Sequence, residues 1–196
     1  LQCPGFLNKH HMWCKNSFCQ NSNHNRGYIQ IGTSRTSHDT SAFACDSIRY
    51  WWQTYGRLLY PLATSILLLC DGGGSNSART YLFKEALQNL SNELGIELRI
   101  AHYPPYTSKY NPIEHPLFPH VSRVCEGVIF DSVETVRELM ASATTKTGLE
   151  VFTTILGQVY QTGQKATEVF KQNMPIVFDD ILLQWNYTAQ PQQTLF

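Results

Sequence analysis

The sequence predicts an α/β fold with parallel strand pairing, and three observations lead to this prediction. An uninterrupted apolar run, SILLLC at 65–70, is typical of a buried strand. Segments with strand and helix patterns alternate through the middle of the chain, as expected for right-handed crossovers between parallel strands. With 196 residues, 42% of them hydrophobic, the chain is long enough to bury a substantial core in one domain.

The first elements are a leader, a strand and a helix. Residues 1–26 are polar and irregular, so we predict a leader without regular structure, part of it disordered. GYIQIGTS at 27–34 alternates apolar and polar positions, which predicts a strand. Apolar and aromatic residues then recur at helical spacing over 41–60, with Thr40 or Asp39 as the N-cap and Pro61 after the end.

The middle of the chain continues the alternation. The run at 65–70 predicts a central strand buried on both faces. A leucine-rich stripe predicts a helix over 77–94, and Gly95 provides its stop signal. IELRIAHY at 96–103 predicts the next strand.

The last third begins with a helix start signal. Asn111 is a good N-cap, Pro112 suits the first helical position, and Glu114 completes a capping box. The remaining elements are predicted as follows: a helix capped by Ser132, a short strand at 150–157, a short helix at 165–173 and an extended polar segment at 185–193. The predicted domain spans 27–191, and 192–196 is a tail.

Composition restricts the function. Lys and Arg total 15, as do Asp and Glu, and this neutral balance argues against strong DNA binding by this chain alone. No apolar run reaches the ~18 residues of a membrane span, and no signal peptide opens the chain, so we expect a cytoplasmic protein. Three of the 6 cysteines, Cys45, Cys70 and Cys125, are predicted to be small buried side chains in a reducing compartment.

A Cys/His cluster near the start resembles a zinc site in residue type only. It consists of His10, His11, Cys14, Cys19 and His24. The two cysteines are separated by four residues, and the histidines fit no common zinc-binding spacing. We therefore predict no stoichiometric zinc.

Two acids are the candidate catalytic and metal-binding residues. Asp71 follows the apolar strand directly and precedes three glycines, and Glu114 begins a helix after the next strand. Ends of neighbouring parallel strands meet at one edge of a sheet, where ligands bind. Two adjacent carboxylates repel unless a cation lies between them, which favours a hard divalent ion and phosphoryl-transfer chemistry.

Alternatively, Asp71 only begins a glycine-rich turn and Glu114 only caps a helix. The stretch DGGGSN matches neither a P-loop nor a dinucleotide fingerprint.

Five motifs then make the sequence similar to a known family. SHDTSAFACDSIRYWW, LLLCDGGGSN, HYPPYTSKYNPIEH, TTKTGL and WNYT resemble the catalytic region of Rhodopirellula-type DDE transposases of bacterial insertion sequences. The resemblance covers about Gly27 to Pro191. It implies an RNase H-like mixed sheet flanked by helices, an Asp-Asp-Glu triad with Mg²⁺ or Mn²⁺, cleavage and joining of DNA at insertion-sequence ends, and a homo-oligomer.

The resemblance also assigns roles to individual residues. Asp71 matches the second acid of the triad and Glu114 the third. A substrate-binding role is implied for Gly72, Gly73, Gly74, Ser75, Asn76, Ser108, Lys109 and Asn111, with Lys109 on a phosphate.

The chain departs from the family pattern at the first acid. That acid belongs to the first strand of the fold, but the sequence contains no Asp or Glu before Asp39. Asp39 is interpreted as a helix cap and Asp46 as an exposed helix residue. Pro116 and Pro119 would break or kink the helix that carries Glu114, because proline removes a helical hydrogen bond.

The sequence therefore predicts a truncated, inactive transposase domain that lacks the first strand. Two alternatives stay open. One is a non-catalytic fragment that binds DNA or an intact transposase. The other is an unrelated α/β metal-dependent hydrolase in which Asp39 supplies a ligand.

Overall fold

The computed structural model describes residues 12–21, 24–33, 40–71, 77–104, 107 and 117–192. These residues form a mixed α/β structure with two sheets, in the strand orders β1-β2-β5 and β3-β4-β7-β6. The strands are β1 Met12–Asn21, β2 His24–Thr33, β3 Ser65–Asp71, β4 Glu97–Tyr103, β5 Glu150–Leu156, β6 Val177–Phe178 and β7 Asn186–Ala189. The helices are α1 Ser41–Trp51, α2 Arg57–Leu59, α3 Tyr81–Leu94, α4 Phe118–Cys125, α5 Val133–Ala141 and α6 Glu168–Gln172. No helix in these ranges is both long enough and apolar enough to span a membrane.

The chain divides into two compact units. Unit 1 contains 1–38 and 109–161, and unit 2 contains 39–108 and 162–196. Each unit has its own sheet and its own apolar core. The predicted boundaries of a domain at 27–191 and a tail at 192–196 stay predictions.

Unit 1 contains a strand that the sequence did not reveal. The ten residues of β1 pair antiparallel with β2, from Met12 opposite Thr33 to Asn21 opposite His24. The predicted leader over 1–26 therefore differs from the structure where β1 and the start of β2 lie. Its polar sequence carries no strand pattern, and the ladder with β2 supplies the backbone hydrogen bonds instead.

The core of unit 1 lies between its sheet and two helices. β5 pairs parallel with β2, as Ile29 opposite Thr153 shows. Ile29, Ile31 and Val151 pack with buried residues of α4 and α5. Ser132 caps α5 as predicted, because its hydroxyl accepts a hydrogen bond from Thr135 N at 3.1 Å.

Unit 2 begins with the predicted aromatic helix. Thr40 is its N-cap, since its hydroxyl accepts a hydrogen bond from Phe43 N at 3.1 Å. Between α1 and α2 the helix widens into a π-helical turn, Trp52–Gly56. A Cβ on Gly56 would lie 2.5 Å from the Trp52 ring, so the packed indole requires glycine there.

The four-stranded sheet of unit 2 corrects one prediction about β3. β3 pairs parallel with β4, as predicted, but it lies at the edge of the sheet in the described part of the chain. One face packs on the helices through residues such as Ile66, whereas Leu67 and Leu69 are 58% and 41% exposed. A continuous apolar run does not by itself require burial on both faces, and here the face that carries Leu67 and Leu69 is left exposed.

The remaining elements of unit 2 follow the predicted order. α3 ends at Leu94, where Gly95 takes the left-handed conformation with φ of 65°. The polar segment predicted to be extended, 185–193, contains β7, which pairs antiparallel with both β4 and β6. Tyr187 and Ala189 in β7 are buried, so this segment completes the core.

Candidate functional site

The carboxyl edge of the β3–β4 pair presents the first predicted acid. Asp71 is the last residue of β3 and lies opposite Tyr103, the last residue of β4. Because the two strands are parallel, both end at the same edge, where α/β proteins bind ligands. The backbone of Asp71 is thus where the sequence predicted it.

The other predicted site residues lie outside the described residues. These are Gly72, Gly73, Gly74, Ser75, Asn76, Ser108, Lys109, Asn111 and Glu114. The proximity of Asp71 and Glu114 stays a prediction, as does the helix from Pro112. Pro119 lies in the first turn of α4, where proline is tolerated because no intrahelical N–H bond is lost there.

A buried polar cluster that was not predicted from the sequence lies near this edge. Lys84 in the first turn of α3 is only 5% exposed, and its ammonium donates a hydrogen bond to Ala78 O. The same ammonium lies 5.0 Å from the centre of the Tyr187 ring. His102 Nε2 lies 3.0 Å from Tyr187 Oη, and His102 is opposite Cys70 in the sheet. Lys84 therefore ties the start of α3 to β7.

Burial shifts the pKa values of Lys84 and Tyr187 in this cluster. Desolvation lowers the pKa of Lys84 and strongly raises the pKa of Tyr187, because burial disfavours the charged form of each. Desolvation also raises the pKa of Tyr103, opposite Asp71. A signal for Lys84 was present in the sequence: it follows Phe83 and precedes Leu87 by three positions, on the apolar stripe of α3.

Replacing Lys84 is expected to change how stability depends on pH. Its pKa is lowered in the folded state from 10.5, so the unfolded chain binds more protons between the two values. Wild-type stability should therefore rise with pH through that window relative to Lys84→Met, which keeps the apolar stem without the charge. Urea unfolding at neutral pH and at about pH 10 measures this. The exposed Lys165→Met is the control, and a constant difference for Lys84→Met would contradict the prediction.

The two aspartates considered as substitutes for the first acid are only partly described. Asp46 forms an ion pair with Arg49, which also binds Glu93 of α3 with Nε at 2.8 Å from Oε1. The side chain of Asp46 is 18% exposed, so its interpretation as an exposed residue is wrong. It links α1 to α3 through Arg49. Asp39 lies outside the described residues. The N-cap of α1 was predicted to be Thr40 or Asp39, and in the structure it is Thr40.

The Cys/His cluster lies partly on the β1–β2 hairpin. Cys14 is opposite Ile31 and Cys19 is opposite Arg26, five positions further along β1. An odd separation in one strand places two positions on opposite faces of the sheet, which disfavours a shared metal ion. We expect elemental analysis of purified protein to show no stoichiometric zinc. One bound zinc that disappears in Cys14→Ser/Cys19→Ser would contradict this.

The sequence predicts that the carboxylates of the two acids are the donors for a divalent cation, and this stays a prediction. Oxygen ligands of this kind suit Mg²⁺ and Mn²⁺, and Asp71 ends its strand at an edge that accommodates ligands. Among the side chains that the structure describes, no group of three or more His, Cys, Asp or Glu residues is arranged to hold a metal.

Comparison with known proteins gave one match. A family model described as the Rhodopirellula transposase DDE domain matches residues 10–191. Neither the curated proteins nor the solved structures gave a match. The matched range contains both predicted acids and all of the described strands and helices.

Proposed function

The chain belongs to the Rhodopirellula transposase DDE domain family, and we propose that it is a DNA-transposition domain that retains two of the three catalytic acids. Membership connects the chain to transposition at insertion-sequence ends. The observation that carries the residue assignment is the position of Asp71 at the carboxyl edge of parallel β3 and β4. We place its action on DNA in the cytoplasm.

In this proposal each site residue has a separate task. Asp71 and Glu114 hold the divalent cation. The glycines at 72–74 leave space for the DNA backbone, and Lys109 binds a phosphate as a point charge. Ser75, Asn76, Ser108 and Asn111 provide further polar contacts to the DNA. When bound, divalent cations activate the nucleophile and stabilise the leaving oxygen in phosphoryl transfer.

The buried cluster supports the position of Asp71. Lys84 bonds the carbonyl of Ala78, which follows the glycine-rich segment by two residues after Asn76. The hydrogen bond from Lys84 to Ala78 limits movement of the chain just after the glycine-rich segment. Asp71, just before that segment, is part of β3. The glycine-rich segment thus connects two fixed points at the edge of the sheet.

Mn²⁺ titration followed by electron paramagnetic resonance tests the assignment. We expect weak binding of one Mn²⁺, because a hydrated ion with two carboxylates keeps most of its waters. Asp71→Asn and Glu114→Gln should each remove this binding, whereas Glu126→Gln, at an exposed position directly after α4, should not. Equal binding by all four proteins would refute the metal assignment.

A second candidate function is binding to an intact transposase without catalysis. The observation that favours it is the outer edge of β3, which has no strand partner in the described part of the chain, beside the exposed Leu67 and Leu69. Unpaired strand edges readily accept another strand. Leu67→Lys should then weaken binding to an intact family transposase and leave the Mn²⁺ titration unchanged. Unchanged binding would exclude this candidate.

A further inference from the structure

The connection between β6 and β7 exposes three consecutive large apolar side chains. Ile181, Leu182 and Leu183 are 72%, 60% and 57% exposed. Single exposed apolar residues are ordinary, but three in succession in the connection of a hairpin place a large apolar area at the surface. We call these three residues the apolar tip.

The apolar tip has a fixed conformation. Leu182 has φ of 58° and is the one non-glycine residue with positive φ in the described ranges. Its carbonyl accepts hydrogen bonds from Trp185 N at 2.7 Å and Asn186 N at 3.1 Å, and Asp179 Oδ1 accepts one from Ile181 N at 3.2 Å. Left-handed leucine is strained, and such strain concentrates at functional sites. These bonds fix the backbone of the apolar tip.

A negative charge lies beside the apolar tip. Asp179 is neutralised by Arg99, whose Nη2 lies 3.1 Å from Oδ2. Asp180 is exposed, and within the described residues it has neither an ion pair nor a hydrogen bond. A surface that binds the tip should therefore combine apolar side chains with a positive charge.

Unit 2 itself carries a surface of this kind. Leu58 and Leu62, at the end of the aromatic helix, are 74% and 92% exposed. Arg57 lies beside them, is exposed, and forms no ion pair within the described residues. We call Arg57, Leu58 and Leu62 the basic apolar patch.

The two surfaces lie at opposite ends of the same sheet. The basic apolar patch precedes β3, which starts at Ser65, whereas Trp185 O next to the tip accepts a hydrogen bond from His102 N near the end of β4. Seven residues of strand separate the two ends by about 20 Å. A contact between the apolar tip and the basic apolar patch would therefore join two different molecules.

We propose that a second copy of this chain binds head to tail, with the apolar tip of one molecule on the basic apolar patch of the next. Asp180 of one copy pairs with Arg57 of the other, and the apolar residues are buried between them. The formal net charge of 0 gives no long-range repulsion between copies. Because the two surfaces differ, the contact is heterologous and repeats along a row of molecules. The proposal does not depend on the DNA chemistry.

Sedimentation velocity over a concentration series tests the contact by charge reversal. The wild-type protein should show a weight-average sedimentation coefficient that increases with concentration. Asp180→Arg and Arg57→Asp should each raise the dissociation constant by about tenfold or more, and the double variant should restore association. Glu126→Arg, the same charge change at an exposed position of unit 1, should behave as wild type.

Leu182→Gly separates association from folding. Glycine relieves the left-handed strain, so the melting temperature should stay the same or rise while association weakens. A monomer at all concentrations would overturn the proposal. Association that survives both charge reversals, or that is lost in Leu67→Lys instead, would assign the contact to another surface and would also overturn it.

Discussion

Incubated with the terminal DNA of its element and Mg²⁺ or Mn²⁺, the 196-residue chain is expected to yield no cleaved or joined strands. The family triad needs an acid ahead of Asp71 on the first strand, and the sequence has no Asp or Glu before Asp39. Two carboxylates provide too few oxygen ligands for a pair of cations. Removing one member of a catalytic set that acts as a unit costs on the order of 10⁴-fold or more in rate.

The assay compares the wild-type chain with Asp71→Ala and with an intact transposase of the family. We expect neither the wild-type chain nor Asp71→Ala to yield products. Only the intact enzyme should cleave and join the DNA. Metal-dependent products from the wild-type chain that disappear in Asp71→Ala would contradict the prediction. They would identify Asp39 as the first candidate for the third ligand, since Asp46 is occupied by Arg49.

Leu90→Ala is expected to lower the free energy of unfolding by about 2–5 kcal/mol. Leu90 is 0% exposed and lies on α3 in the core between the helices and the four-stranded sheet. The substitution removes buried apolar area and leaves a cavity that the surrounding residues fill only in part. Urea unfolding at low micromolar concentration, where association between copies is minimal, measures the loss.

Leu62→Ala provides the matched control. Leu62 is 92% exposed, so the same change of side chain should alter the free energy of unfolding by no more than about 0.5 kcal/mol. Equal effects at the two positions would show that α3 does not pack on the sheet through Leu90. The pair thus tests the structure independently of any assumption about function.

The sequence predicted elements best where local chemistry is sufficient to form them. Thr40 and Ser132 cap their helices because a hydroxyl one position before a helix bonds an N–H that otherwise has no partner. Gly95 ends α3 because only glycine adopts positive φ without strain. The order of β3, α3 and β4, and their parallel pairing, follow from the alternation and the handedness of crossovers.

The candidate site was predicted in part. Asp71 could be placed at the end of a strand because the apolar run stops there and glycines follow. Lys84 and Tyr187 could not be assigned to the same cluster, because they are far apart in sequence and meet only when β7 joins the sheet. The stripe of α3 places Lys84 on the buried face, but its lowered pKa depends on how completely the packed structure buries it.

The sequence by itself determined the family, through five ordered motifs, and the identity of most helices and strands, through periodicity and caps. Tertiary structure alone decided the rest. It paired the polar β1 with β2, left Leu67 of β3 exposed, and placed Tyr187 in the core. The physical reason is that caps and periodicity involve residues within one or two turns, whereas strand pairing and burial depend on which distant segments pack together.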